Sequence, residues 1–158
     1  MTLSIAIEPP RNPDIEELLR LGDEFAFSLY PPESCYLLDV GELEEPGVTV
    51  FVGRDVSGRA LGMAALVEHV DGTAEVKRVF VHEDARGLGL ASALMDRVEH
   101  AAAALGVDAL QLETGPLQLA AIAMYEKRGF VRIPNFGPYE GDEFSVCYAK
   151  TFGTRSPH

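Results

Sequence analysis

Apolar residues follow two rhythms along the chain. Leu3 to Ile7 alternates apolar and small residues and predicts a short first strand. Asn12-Pro13-Asp14 reads as a helix start, with Pro in the first turn and Asp14, Glu16 and Glu17 facing the helix dipole. Leu18, Leu19, Leu21, Phe25 and Leu29 give a helical stripe that Pro31-Pro32 ends. Residues 33–47 read as loop or short helix. Three extended runs follow, Val48–Val52, Ala60–Val70 and Ala74–Val81, joined by turns at Asp55–Gly58 and Asp71-Gly72. A helical period then returns at Leu90, Leu94, Val98, Ala102 and Leu105, with Gly106 placed as a C-cap. Ala109–Glu113 reads as a buried strand, Gln118–Lys127 as a helix ended by Gly129, and Phe130–Ile133 and Phe144–Tyr148 as the last strands.

This order places a strand–helix–strand crossover inside an antiparallel meander. It predicts an α+β fold: a mixed, mostly antiparallel sheet with helices on both faces. Ala74–Val81 and Ala109–Glu113 should be its parallel pair, linked by a right-handed crossover. A length of 158 residues predicts one domain, residues 1–152, with 153–158 a disordered tail.

Charge narrows the partners. Thirteen Lys+Arg against 25 Asp+Glu give a net charge of −12. That sign opposes the phosphate attraction behind nucleic-acid binding. No apolar run is long enough to span a bilayer, so neither nucleic acid nor membrane is an expected partner. Cys35 and Cys147 stand far apart without C-x-x-C spacing and read as reduced thiols of a cytoplasmic protein. The four histidines show no ligand spacing, so no metal is expected.

The segment most informative about chemistry is Arg86-Gly87-Leu88-Gly89-Leu90-Ala91, between a strand and a long helix. Glycines let an anion approach main-chain N–H groups, and the first helical turn leaves such groups unpaired beside a partial positive charge. Arg86 adds a charged donor. A Rossmann turn fits less well: Ser92 replaces the third glycine, and residues 82–86 separate strand from turn. No Gly-Lys-Ser/Thr follows, which excludes a Walker A loop.

Glu75-Val-Lys-Arg-Val-Phe-Val81 followed by Arg86-Gly-Leu-Gly-Leu-Ala91 resembles the acetyl-CoA motif of the GNAT superfamily of N-acetyltransferases, met at Arg86, Gly89 and Ala91. Gln118-Leu-Ala-Ala-Ile-Ala-Met-Tyr-Glu-Lys-Arg-Gly-Phe130 is similar to the family's second motif. Four further segments look like a subgroup of small bacterial acetyltransferases: Leu29–Ser34, Leu112–Gly115, Phe136–Tyr139 and Ser145–Lys150.

The resemblance implies direct acetyl transfer from acetyl-CoA to a primary amine of a small molecule or amino acid. It implies a parallel strand pair splayed at the cofactor site, and it allows a homodimer. The N–H groups of Gly87, Leu88, Gly89, Leu90 and Ala91, with Arg86, would hold the pyrophosphate, and Phe80 and Val81 the pantetheine arm. Tyr125 would protonate the leaving thiolate. The base would be Glu113, twelve residues before that tyrosine, or Glu75 on the neighbouring strand, or a water chain. Gln118 stands where many relatives have a cofactor-contacting Asn. Tyr30, Ser34, Tyr36 and Tyr139 fall in regions that wall the acceptor pocket. Lys77 and Arg78 alternate, so at most one should face the pocket, where it could pair with a substrate carboxylate; Arg78 is the substrate-binding candidate. The acidic runs Asp39–Glu45 and Glu140–Glu143 read as solvated loops. A non-catalytic acyl-CoA sensor of the same fold is the alternative.

Overall fold

The computed structural model describes residues 2–152, so the expected tail lies outside the described residues. Among the described residues, seven strands form one sheet: β1 (Leu3–Ile7), β2 (Val48–Asp55), β3 (Ala60–Glu68), β4 (Thr73–Val81), β5 (Ala109–Thr114), β6 (Val131–Ile133) and β7 (Val146–Thr151). Their order is β1-β2-β3-β4-β5-β7-β6, with β4–β5 the one parallel pair. Four α-helices accompany them among the same residues: α1 (Pro13–Leu29), α2 (Val40–Leu43), α3 (Leu90–Leu105) and α4 (Leu119–Lys127). The mixed α+β architecture is the one the element order predicts.

Local chemistry sets the helix ends. Asn12 caps α1 by accepting from the Asp14 N–H at 3.3 Å. Asp39 and Glu42 form a reciprocal capping box on α2, which makes one helical turn out of an acidic loop. Gly106 ends α3 in the left-handed conformation. The last strand starts at Val146, two residues later than the pattern suggests. Asp142 holds the preceding turn by accepting from the Phe144 N–H at 2.8 Å.

Alternation on the strands divides the core. Phe51, Ala64, Leu66, Val76 and Leu112 pack against Leu94, Met95 and Val98 of α3 on one face. Val50, Val52, Met63 and Ala65 pack against Ile15, Leu18 and Leu43 of α1 and α2 on the other. Burial of both faces explains why β3 reads as a continuous apolar run.

Two irregularities shape the region of the site. At the first, Gly53 pairs with Gly62. A Cβ on either glycine would lie 2.6 or 2.8 Å from the Leu90 side chain, so the glycine pair is a socket for the first residue of α3. At the second, Met63 pairs with Phe80 but Ala65 with Lys77, so β4 carries an extra residue. Arg78 sits in this bulge at φ +57°, in the left-handed region. The face pattern inverts across it: Ala74 and Val76 face α3 before the bulge, Val79 and Val81 after it. Pairing of β4 with β5 stops at Val76 and Leu112, although both strands continue. The gap beyond that point is a cleft.

Candidate active site

The cleft lies between α1, the segment after it, and the ends of β4 and β5 where these two strands no longer pair with each other. Among its lining residues are Tyr30, Ser34, Tyr36, Lys77, Arg78, Phe80, Glu113, Gln118 and Tyr125.

Glu113 is the carboxylate that opens onto it. Its Oε2 accepts from Ser145 Oγ at 2.7 Å. Burial pushes its pKa up from the ordinary value, opposed by the Ser145 hydrogen bond and the Lys77 charge. Tyr125 projects from α4 and packs edge-on against Phe130 at 5.9 Å. Burial raises its phenol pKa, with a further push from Glu113, so it stays protonated at neutral pH.

Glu75, the other carboxylate, does not line the cleft. It is buried, and its Oε2 accepts from the Tyr139 hydroxyl at 2.5 Å while Oε1 meets His69 Nε2 at 2.9 Å. Tyr139 in turn accepts from Lys77 Nζ at 2.7 Å. Tyr139 is therefore buried behind the wall, holding a cluster together, and its pKa is raised by burial and then by Glu75.

Lys77 and Arg78 both line the cleft, contrary to simple strand alternation. The bulge is the reason: Arg78 leaves the strand's two-residue period and turns to α1, where it donates to Asp23 at 2.6 Å and to the Leu19 carbonyl at 3.0 Å.

The wall is laced by long-range hydrogen bonds. Asp142 accepts from Ser34 Oγ at 3.1 Å and from the Tyr36 hydroxyl at 2.5 Å. That bond to Asp142 pushes the Tyr36 phenol up to about 12. Tyr30, the C-cap residue of α1, accepts from the Leu117 N–H at 3.1 Å. Gln118 is the N-cap residue of α4 and not its first turn. Its Oε1 accepts from the Gly115 N–H at 3.2 Å.

Arg86 to Ala91 lie outside the cleft, on the turn from β4 into α3. Gly87 and Gly89 both have φ +79°, and nothing lies within 4 Å of a Cβ placed on either. This leaves a backbone cradle open above the first turn of α3. Arg86 is exposed and pairs with no carboxylate among the described residues. The Leu90 side chain is buried in its glycine socket, so this residue offers the cradle only main chain. Phe80 lines the cleft, and Val81 pairs with Gly62 at its edge. No cluster of metal-ligating side chains occurs among the described residues.

Ser145, Asp142, His69 and the Gly53–Gly62 pair escape the sequence reading. Asp142 carries a local signal in its turn with Phe144, and His69 meets Glu75 across one hairpin; Ser145 and the glycine pair act through contacts distant in sequence.

Residues 12–130 match the acetyltransferase (GNAT) family, and the chain belongs to that family. It is 39% identical over 149 residues to an IAA acetyltransferase of Azospirillum brasilense, covering 94% of this chain and 97% of that protein. A solved Klebsiella pneumoniae chain assigned to the acyl-CoA N-acyltransferases superposes with a TM-score of 0.80 at 29% identity, covering 95% of this chain and 97% of that one. A PaiA N-acetyltransferase from Thermoplasma acidophilum, solved with coenzyme A, shares the fold at a TM-score of 0.77 and 14% identity, covering 96% and 100%.

Proposed function

We propose that the protein is an acetyl-CoA-dependent N-acetyltransferase that acts directly on a primary amine of a small molecule or amino acid. The observation that carries this is one cleft lined by a carboxylate of raised pKa, Glu113, and a phenol held protonated, Tyr125. Direct transfer needs both: a base to make the amine neutral and an acid for the departing sulfur.

The open cradle fits the co-substrate. Gly87 to Ala91 and Arg86 would hold its pyrophosphate, and Phe80, Val81 and Gln118 would border its arm. Acetyl-CoA supplies an acetyl group activated as a thioester. Glu113 takes the ammonium proton at its carboxylate; a raised pKa brings it nearer to the amine it must deprotonate. Tyr125 holds the proton at its hydroxyl for the thiolate. Glu75 has both oxygens engaged by Tyr139 and His69, which favours Glu113 as the base. The Azospirillum and Thermoplasma proteins support acetyl transfer and a coenzyme A site respectively. Both cysteines are free thiols, in keeping with a cytoplasmic enzyme.

The test is release of coenzyme A thiol from acetyl-CoA with a panel of amino acids, aryl amines, polyamines, aminoglycosides and peptides. Amine-dependent release supports the reading. Acetyl-CoA binding by calorimetry without release for any amine would replace it with a non-catalytic binding module.

A further inference from the structure

Val76 and Leu112 are the last paired residues of the parallel strands, and both face α3. One position further, Lys77 and Glu113 therefore both face α1, side by side where the strands part. They are opposite charges on neighbouring strands, yet they do not pair. Lys77 turns to Tyr139 at 2.7 Å and Glu113 to Ser145 at 2.7 Å.

Lys77 has donors to spare. An ammonium carries three N–H groups. Among the described residues, only Tyr139 uses one within hydrogen-bond distance; Glu75 Oε2 is 3.8 Å away and is already engaged. The side chain is only 11% exposed, so water does little to satisfy the rest. Arg78 is not the equivalent cation, because Asp23 and the Leu19 carbonyl hold it.

Resting on the acetyltransferase reading, we propose that the acceptor is an α-amino acid with an apolar side chain, its amine directed to Glu113 and its carboxylate bound by Lys77. A simple amine would bring a second cation close to Lys77 and leave the spare Lys77 N–H groups without an acceptor. Polyamines and aminoglycosides would add more. A zwitterion supplies both missing partners, a donor for Glu113 and an acceptor for Lys77. Leu19, Phe25, Leu37 and Phe144 on the same cleft leave an apolar wall for the side chain.

The experiment compares matched acceptors by kcat/KM for thiol release: phenylalanine with phenethylamine and phenylalaninamide, and leucine with isopentylamine. The wild type should prefer the carboxylate-bearing member by about 10- to 100-fold, the scale of a charge-assisted hydrogen bond. Lys77→Gln should raise KM for the amino acids and erase most of the preference for the carboxylate-bearing member of each pair, over and above any loss common to both classes that follows from removing the Lys77 charge beside Glu113. Equal or better turnover of the decarboxylated amines by wild type overturns the proposal and leaves the transferase reading standing. So does an equal loss on both classes in a folded Lys77→Gln protein. No release with any amine overturns both. The wild-type comparison decides the question even where the variant does not fold.

Discussion

The Tyr30 hydroxyl stands where a side chain at Gly115 would be. A Cβ on Gly115 would lie 1.9 Å from Oη and 2.0 Å from the ring carbon that bears it. This contact welds the end of α1 to the turn between β5 and α4, and with it the acceptor wall to the strand that carries Glu113.

Gly115→Ala should accordingly destabilise the protein by about 1–3 kcal/mol, the range for overpacking. Tyr30→Ala opens the space, so the double variant should recover part of the loss. A urea-denaturation double-mutant cycle checks this, with a coupling of about 0.5–3 kcal/mol expected. Strict additivity would mean that the turn simply moves aside.

Tyr125→Phe keeps the packing on Phe130 and removes the proton. We expect kcat to fall roughly 100-fold, the lower end for loss of a general acid, with acetyl-CoA affinity nearly unchanged. Steady-state kinetics beside calorimetry separates the two quantities. An unaltered kcat removes Tyr125 from the mechanism.

Glu113 must be ionised to accept a proton, so kcat/KM should rise with pH through its raised pKa. Ser145 donates to the carboxylate and favours the ionised form. Ser145→Ala should therefore move the acidic limb upward, read as a displaced limb in the pH dependence of kcat/KM. Glu113→Gln should abolish the limb and lower kcat/KM at least about 100-fold.

Stability follows the same group with the opposite sense. The folded-state pKa of Glu113 lies above the unfolded value, so the native state binds the proton more tightly. Its contribution is greatest below the unfolded pKa and declines as pH rises through the folded one. Glu113→Gln should remove that decline, read as a flatter dependence of the denaturation midpoint on pH from acid to neutral. A midpoint curve identical to that of the wild type would contradict the buried, raised carboxylate.

Gly89→Val and Gly62→Val should weaken acetyl-CoA binding by different routes. At Gly89 there is room for the side chain, but φ +79° strains any β-branched residue, so the cradle itself must refold. At Gly62 the backbone is ordinary and the socket of Leu90 is filled, so α3 must shift. Both should raise KM for acetyl-CoA, with Gly62→Val also lowering the denaturation midpoint. No change in acetyl-CoA affinity for Gly89→Val would place the phosphates elsewhere.

Elements were legible in the sequence where their signals are local. The 3.6-residue stripe of α3, the Asn12-Pro13 start of α1 and the Asp71-Gly72 turn depend on neighbours in the chain, and each element stands where those signals place it. The glycine turn was legible for the same reason: conformational freedom belongs to the residue itself. Phe25 marks the limit. It continues the apolar stripe of α1 but is 41% exposed and lines the cleft, because periodicity reports a face and not what covers it.

The sequence alone thus determined the α+β class, the parallel crossover and the residue types available for acid, base and anion binding. Only the tertiary structure decided how those residues are used. A single inserted residue at Arg78 turns that cation to the cleft beside Lys77, and pairings between distant residues turn Lys77 from Glu113 and close Glu75 behind Tyr139. Such choices depend on register and on contacts between residues as far apart as Ser34 and Asp142. No local pattern encodes these, because the energies that select them arise only once the strands and helices are packed.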